Sequence, residues 1–214
     1  MKRTISNIFC GVAFLLATLA GTSCDDWTKN EKIAVEDPVF GEGDPELYAR
    51  YLASLRAYKS GDHRQTVVWF DNSNKQPASR GGFFSDVPDS VDVVALTAGG
   101  RLTVEELEQV EMLREKGTKV IGAFDCQAAL ARDEDAQIPE ERLSAALAER
   151  IWEIEADGLD GLTLCYESTD PTFATEEELH AQRALDDVVA EALTEWRERH
   201  PEGLLLFEGT PQWL

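Results

Sequence analysis

Thr163, Cys165 and Glu167 are the residues of this chain whose types and spacing point most directly to chemistry. They lie two apart in Gly161–Glu167 (Gly-Leu-Thr-Leu-Cys-Tyr-Glu), an apolar run of strand length that follows a Gly-containing turn and ends on a carboxylate. Side chains alternate along a strand, so these three share one face, and Leu162, Leu164 and Tyr166 the other. In a parallel α/β barrel the first set faces the interior, and Glu167 reaches the C-terminal rim where barrel enzymes carry their reactive groups. Four further apolar runs end on polar groups: Asp71-Asn72, Thr97, Asp125 with Cys126 and Gln127, and Glu208. Trp69 precedes Asp71 on the same face. A Trp ring beside a row of hydrogen-bonding groups suits a pyranose, whose face is apolar and whose edge is hydroxyls. The candidate set is therefore Glu167 as the reactive group, with Trp69, Asp71, Asn72, Thr97, Asp125, Thr163, Cys165 and Tyr166 as substrate contacts. For Asp71 and Asp125 a plainer role competes, as a helix N-cap or a solvated strand end.

The elements that must position these groups alternate regularly. Asp44-Pro45 starts a helix, with Asp as N-cap and Pro at the first helical position. Leu47, Tyr48, Tyr51, Leu52, Leu55 and Tyr58 follow at helical spacing, a face expected to pack on a core, and Gly61 ends it. Strands are expected over 66–71, 91–97, 119–125, the segment ending at Glu167, and 204–208. Between them come a loop over 72–88 with a short helix near Gly82–Ser85, and a helix from Thr103, boxed by Glu106, to Gly117. An acidic loop is expected over 127–137, then a helix over 139–156 with Leu143, Leu147, Ile151 and Ile154 on one side. The last helix runs from Thr175, boxed by Glu178, to a stop at Pro201. Strand and helix alternate with no hairpin signal, which predicts a parallel sheet with crossover helices. A doubly wound sheet and a (β/α)8 barrel both fit. No Gly-x-Gly-x-x-Gly follows the first strand, so no dinucleotide cofactor is expected, and no metal-ligand spacing appears.

The strand ending at Glu167 resembles the signature of glycoside hydrolase family 18, the chitinase and endo-β-N-acetylglucosaminidase family, whose pattern is Asp-Gly-x-Asp-x-Asp-x-Glu. Asp160, Gly161 and Glu167 match it, and the two inner aspartates fall on Thr163 and Cys165. The runs Leu55–His63, Val87–Asp92 and Lys116–Val120 are similar to a lipoprotein branch of that family, so the likeness covers about residues 45 to 209. His63 precedes its strand and is read as structural. The resemblance implies a (β/α)8 TIM-barrel fold with about the first five β/α units present, the chain stopping at Leu214 as an incomplete barrel. It implies Glu167 as general acid. It also implies that the Asp expected to orient the substrate acetamide is replaced by Cys165.

The N-terminus reads as a targeting segment. Met1-Lys2-Arg3 is a basic head, and 8–20 is an apolar run too short to span a bilayer comfortably. Gly21-Thr22-Ser23-Cys24 resembles a lipobox, with an ordinary signal peptide as the alternative. The expected organisation is a signal peptide over 1–23, a lipid anchor on Cys24, a polar tether over 24–44 and the α/β domain over 45–214. Asp25-Asp26 after the anchor resembles an outer-surface export signal, so the expectation is an outer membrane lipoprotein facing the cell surface, with a periplasm-facing one as the alternative. The net charge is −21, and removing 1–23, which carries Lys2 and Arg3 and no acid, leaves about −23. Such a chain is no candidate for nucleic acid, whose phosphates call for Lys and Arg. Of four cysteines only Cys126 and Cys165 remain, as two free thiols or as one disulfide that export permits. The family 18 resemblance implies as partner a glycan containing β-linked N-acetylglucosamine, bound without efficient cleavage, alongside partners in a glycan-uptake complex. An active glycosidase using Glu167 and a structural or interaction lipoprotein are the alternatives.

Overall fold

The computed structural model describes residues 44–131 and 138–213. The signal segment, Cys24, the tether as far as residue 43, and the acidic stretch 132–137 lie outside the described residues.

Five strands form one parallel sheet in chain order: β1 (Val67–Phe70), β2 (Val93–Leu96), β3 (Lys119–Asp125), β4 (Gly161–Tyr166) and β5 (Leu204–Gly209). The helices are α1 (Pro45–Ser60), α2 (Val104–Glu115), α3 (Cys126–Leu130), α4 (Pro139–Ala156) and α5 (Glu176–Arg199). Each strand pairs with the next in sequence, so the sheet is wound in one direction, as in a barrel, and the doubly wound order is excluded.

The two faces differ as alternation demands. Leu162, Leu164 and Tyr166 of β4 bury against Leu143, Leu147, Ile151 and Ile154 of α4 and Val189 and Trp196 of α5. Val94, Leu96 and Val120 bury against Val110 and Leu113 of α2. Each such large side chain contributes about 1.5–3 kcal/mol on leaving water. The opposite, concave face packs on itself, with Val93, Ala95 and Ile121 under Val67, Ala123, Leu204 and Leu206.

Three local devices hold the strand ends in place. Gly122 faces α4, and a Cβ there would stand 2.5 Å from Ile154, so only glycine lets the helix lie this close. Above it the buried Arg150 donates to the carbonyls of Leu96 (3.0 Å) and Ala123 (3.1 Å) and to Glu153 (3.0 Å). Glu153 in turn accepts from the Gly100 N–H at 2.9 Å. The predicted capping boxes form at both sites, Thr103 with Glu106 and Thr175 with Glu178.

Two expectations are corrected. The loop expected from Gln127 begins instead as α3, because the Asp125 carboxylate accepts from the Gln127 and Ala128 N–H groups and nucleates a turn. The aromatic stripe of α1 does not sink into a core, since no residue of α1 is buried. The helix is instead held by polar reach: Tyr51 to Asp89 (2.5 Å), Arg56 to the Glu115 carbonyl (2.7 Å), and Lys59 to the Val91 carbonyl (2.7 Å) and Thr118 (2.5 Å).

Candidate functional site

The concave face ends, at the C-terminal tips of the strands, in a row of acids. Asp125, Cys165 and Glu208 are register partners on β3, β4 and β5, so their side chains stand side by side. Glu167 follows one residue beyond β4 and is exposed. The row beneath is Ala123, Thr163 and Leu206. Trp69 of β1 lies on the same face and is 48% exposed.

Glu208 joins the two edges of the sheet. Its Oε1 accepts from the Thr163 hydroxyl at 2.6 Å and from the Trp69 indole N–H at 3.0 Å. Trp69 belongs to β1 and Glu208 to β5, the outermost strands of the sheet, so this bond requires the sheet to curl. Thr163 is 1% exposed and therefore serves Glu208 from below. Among the described residues, Asp71, Asp125, Glu167 and Glu208 form no ion pair.

Electrostatics in the row follow from this arrangement. Burial pushes the Cys165 thiol above its ordinary value, and the charges of Asp125, Glu208 and Glu167 push it further. Cys165 is thus an uncharged thiol at neutral pH. Cys126 points the other way, into the core under α4 and α5, and burial pushes it up to about 12. Both cysteines are free thiols.

The other proposed contacts divide. Asp125 spends one oxygen on capping α3, and Gln127 of that helix donates to the Glu167 carbonyl at 3.1 Å, linking the tips of β3 and β4. Asp71 accepts from the Ser73 N–H at 2.9 Å, and hydrogen bonding by Ser73 holds its carboxyl below the usual range. Thr97 is exposed at the tip of β2 and donates to the Phe70 carbonyl at 3.3 Å. Asn72 and Tyr166 leave the set. Asn72 continues the face of Val68 and Phe70, is buried, and binds Glu106 (3.0 Å) and the Ala98 N–H (3.1 Å). Tyr166 is buried beneath α5 with its hydroxyl on Asp186 at 2.6 Å, so it meets no ligand in the mouth.

Two of the three signature matches are explained by folding. Asp160 sits at the opposite, N-terminal end of β4, where it accepts from the Val120 N–H (2.8 Å) and pairs with Arg114 (3.3 Å). At Gly161 a Cβ would lie 2.1 Å from the Leu204 carbonyl, so the close approach of β5 requires glycine. Only Glu167 stands where it can touch a ligand. His63 likewise lies at the N-terminal end, bonded to Asp92 at 2.9 Å. Two groups were not in the proposed set: Glu208, visible in the sequence only as a strand end, and Phe173, 88% exposed on the loop after Glu167. Three concavities elsewhere, of about 430, 390 and 250 Å³, are lined by none of the mouth residues.

The curled parallel sheet of five strands, with helices outside and acids gathered at the C-terminal tips, is the architecture of a partial α/β barrel. Residues 28–142, more than half of the chain, match the model of glycoside hydrolase family 18, BT1044-like, and the chain belongs to that family. That match ends before β4, so it does not rest on the strand of Glu167. Among solved structures, a selenomethionine-labelled Glu-to-Gln variant of BT1044 is similar at 18% identity and a TM-score of 0.56, over 81% of this chain and 59% of that one. An endo-β-N-acetylglucosaminidase from Cordyceps militaris aligns at 19% identity and a TM-score of 0.49, over 75% of this chain and 54% of that one. The chain therefore spans under two thirds of the length of these structures. A comparison with curated proteins found no match.

Proposed function

We propose that this chain is a glycan-binding member of family 18 that holds a β-linked N-acetylglucosamine glycan at the strand tips without cleaving it efficiently. The observation that carries the reading is Cys165. Substrate-assisted hydrolysis uses two groups, an acid for the leaving oxygen and a carboxylate that aims and polarises the acetamide. Glu167 is exposed at the rim and supplies the first. Two residues earlier on the same face stands an uncharged thiol, and Thr163 below it is buried with its hydroxyl given to Glu208. Trp69 supplies an open ring on which a sugar face can rest. Calorimetry of the protein with a chitin oligosaccharide and with an N-glycopeptide, followed by chromatography of the mixture, tests this. Heat without product is the expected result. Product that vanishes in Glu167→Gln would overturn the second half of the reading and make the chain an active glycosidase.

The surface lipoprotein reading rests on the basic head, the apolar run and the Gly-Thr-Ser-Cys ending at Cys24. Labelling cells with a clickable fatty acid tests it. Label lost in Cys24→Ser supports an anchor, and label retained in that variant refutes it.

A further inference from the structure

The geometry points to Glu208 of β5 as the residue that selects an N-acetyl sugar, accepting the acetamide N–H that position 165 of β4 no longer can. The inference deepens the reading of the mouth as a sugar site and rests on it. Three observations carry it. First, Glu208 is the register partner of Cys165, so its carboxylate lies one strand spacing from the place where the family signature carries Asp. Second, it is held: Thr163 from below and Trp69 from across the mouth both donate to Oε1. Among the described residues nothing donates to Oε2, which leaves one acceptor oxygen of a fixed carboxylate directed by two bonds on the other. Third, the row below offers Ala123 and Leu206 on either side of Thr163, both only partly buried. An acetamide is an N–H donor joined to a carbonyl and a methyl group. An anionic acceptor above an apolar floor fits that pair, whereas a plain hydroxyl leaves the floor unused.

Trp69 then has two duties. Its N–H fixes Glu208, and its ring stays open to a sugar face. The same bond makes ring and carboxylate one unit, so a ligand touching both meets a preset distance between stacking and hydrogen bonding.

Binding of triacetylchitotriose and of cellotriose, which differ in the acetamide, tests the assignment in wild type and Glu208→Gln. The Gln side chain keeps size and shape, and a melting curve confirms the fold. A hydrogen bond to a charged acceptor is worth about tenfold in affinity. Glu208→Gln is therefore expected to lose about tenfold for triacetylchitotriose while its weak binding of cellotriose is unchanged. Thr163→Val, which removes one of the two bonds fixing Oε1, is expected to lose part of the same discrimination. Equal loss for both sugars would make Glu208 a general part of the mouth and overturn the assignment. Unchanged binding of both would overturn it while leaving the sugar site standing. Absence of binding in wild type would overturn the sugar site and the assignment together.

Discussion

The two ends of the sheet treat their acids in opposite ways. At the N-terminal end three carboxylates near the strands are paired: Asp92 with His63 and the Thr66 N–H, Asp160 with Arg114 and the Val120 N–H, Asp89 with Lys116 and Tyr51. At the C-terminal mouth Asp125, Glu167 and Glu208 crowd one thiol, with no cation among the described residues to offset them. Like charges held together without compensation cost stability, and a fold keeps such an arrangement where a ligand meets it. The first end offsets its acids with cations; at the second, Glu208 and Asp125 are held by neutral donors alone.

Substitutions should divide along that line. The largest effect is expected from Gly161→Ala, which drives a Cβ into the Leu204 carbonyl; a loss of about 3 kcal/mol or more in urea unfolding is expected. A tolerated alanine would show that β5 moves freely past β4. Next, Thr163→Asp with Cys165→Asp restores the family signature but sets two new carboxylates, one of them buried, against Glu208. We expect the pair to cost about 2–4 kcal/mol, and adding Glu208→Gln to recover a large part of it. Hydrolysis of a chitin oligosaccharide should then emerge in the triple variant rather than in the double one. A double variant as stable as wild type would mean the mouth acids do not interact.

Asp160→Asn, at the N-terminal end, should lose about 1–2 kcal/mol of stability with glycan affinity of the folded protein unchanged. Loss of binding without loss of stability would erase the distinction between the two ends. A smaller, pH-dependent effect belongs to His63. The Asp92 carboxylate, with the Gly61 carbonyl, raises its pKa, so the folded value lies above the unfolded one near 6.5. Protonated His63 therefore stabilises the fold in full below about pH 6.5, and that contribution is lost as pH rises through the folded value. Melting temperature should fall across that window in wild type and stay flatter in His63→Gln. The smallest change is expected from Glu167→Gln, within about 0.5 kcal/mol in stability because the side chain is exposed and has no ion pair among the described residues.

Much of this was legible beforehand, for reasons that are local. The stretch 119–125 forms a strand because its Val, Ile and Phe favour one, and both capping boxes form because Thr and Glu three apart satisfy each other's N–H groups. The same alternation rule that put Thr163 and Glu167 on one face also puts Asn72 with Val68 and Phe70, and Tyr166 with Leu164. Nearness to a strand tip does not override it. What stayed hidden is long range. Trp69 and Glu208 are 139 residues apart, and only the curl of the sheet brings the indole to the carboxylate. The docking of α1 is not legible in its apolar spacing, because the polar ends of Tyr51, Arg56 and Lys59 make the contacts.

That docking has a consequence of its own. A helix with no buried residue, docked largely through polar side-chain contacts, has less to lose by letting go than a helix packed into the core, and local opening needs far less free energy than global unfolding. Its amides should exchange with deuterium long before those of β2 to β4. A pull applied through Pro45 would peel α1 away as a mechanical fuse, sparing the sheet and the mouth at its far end.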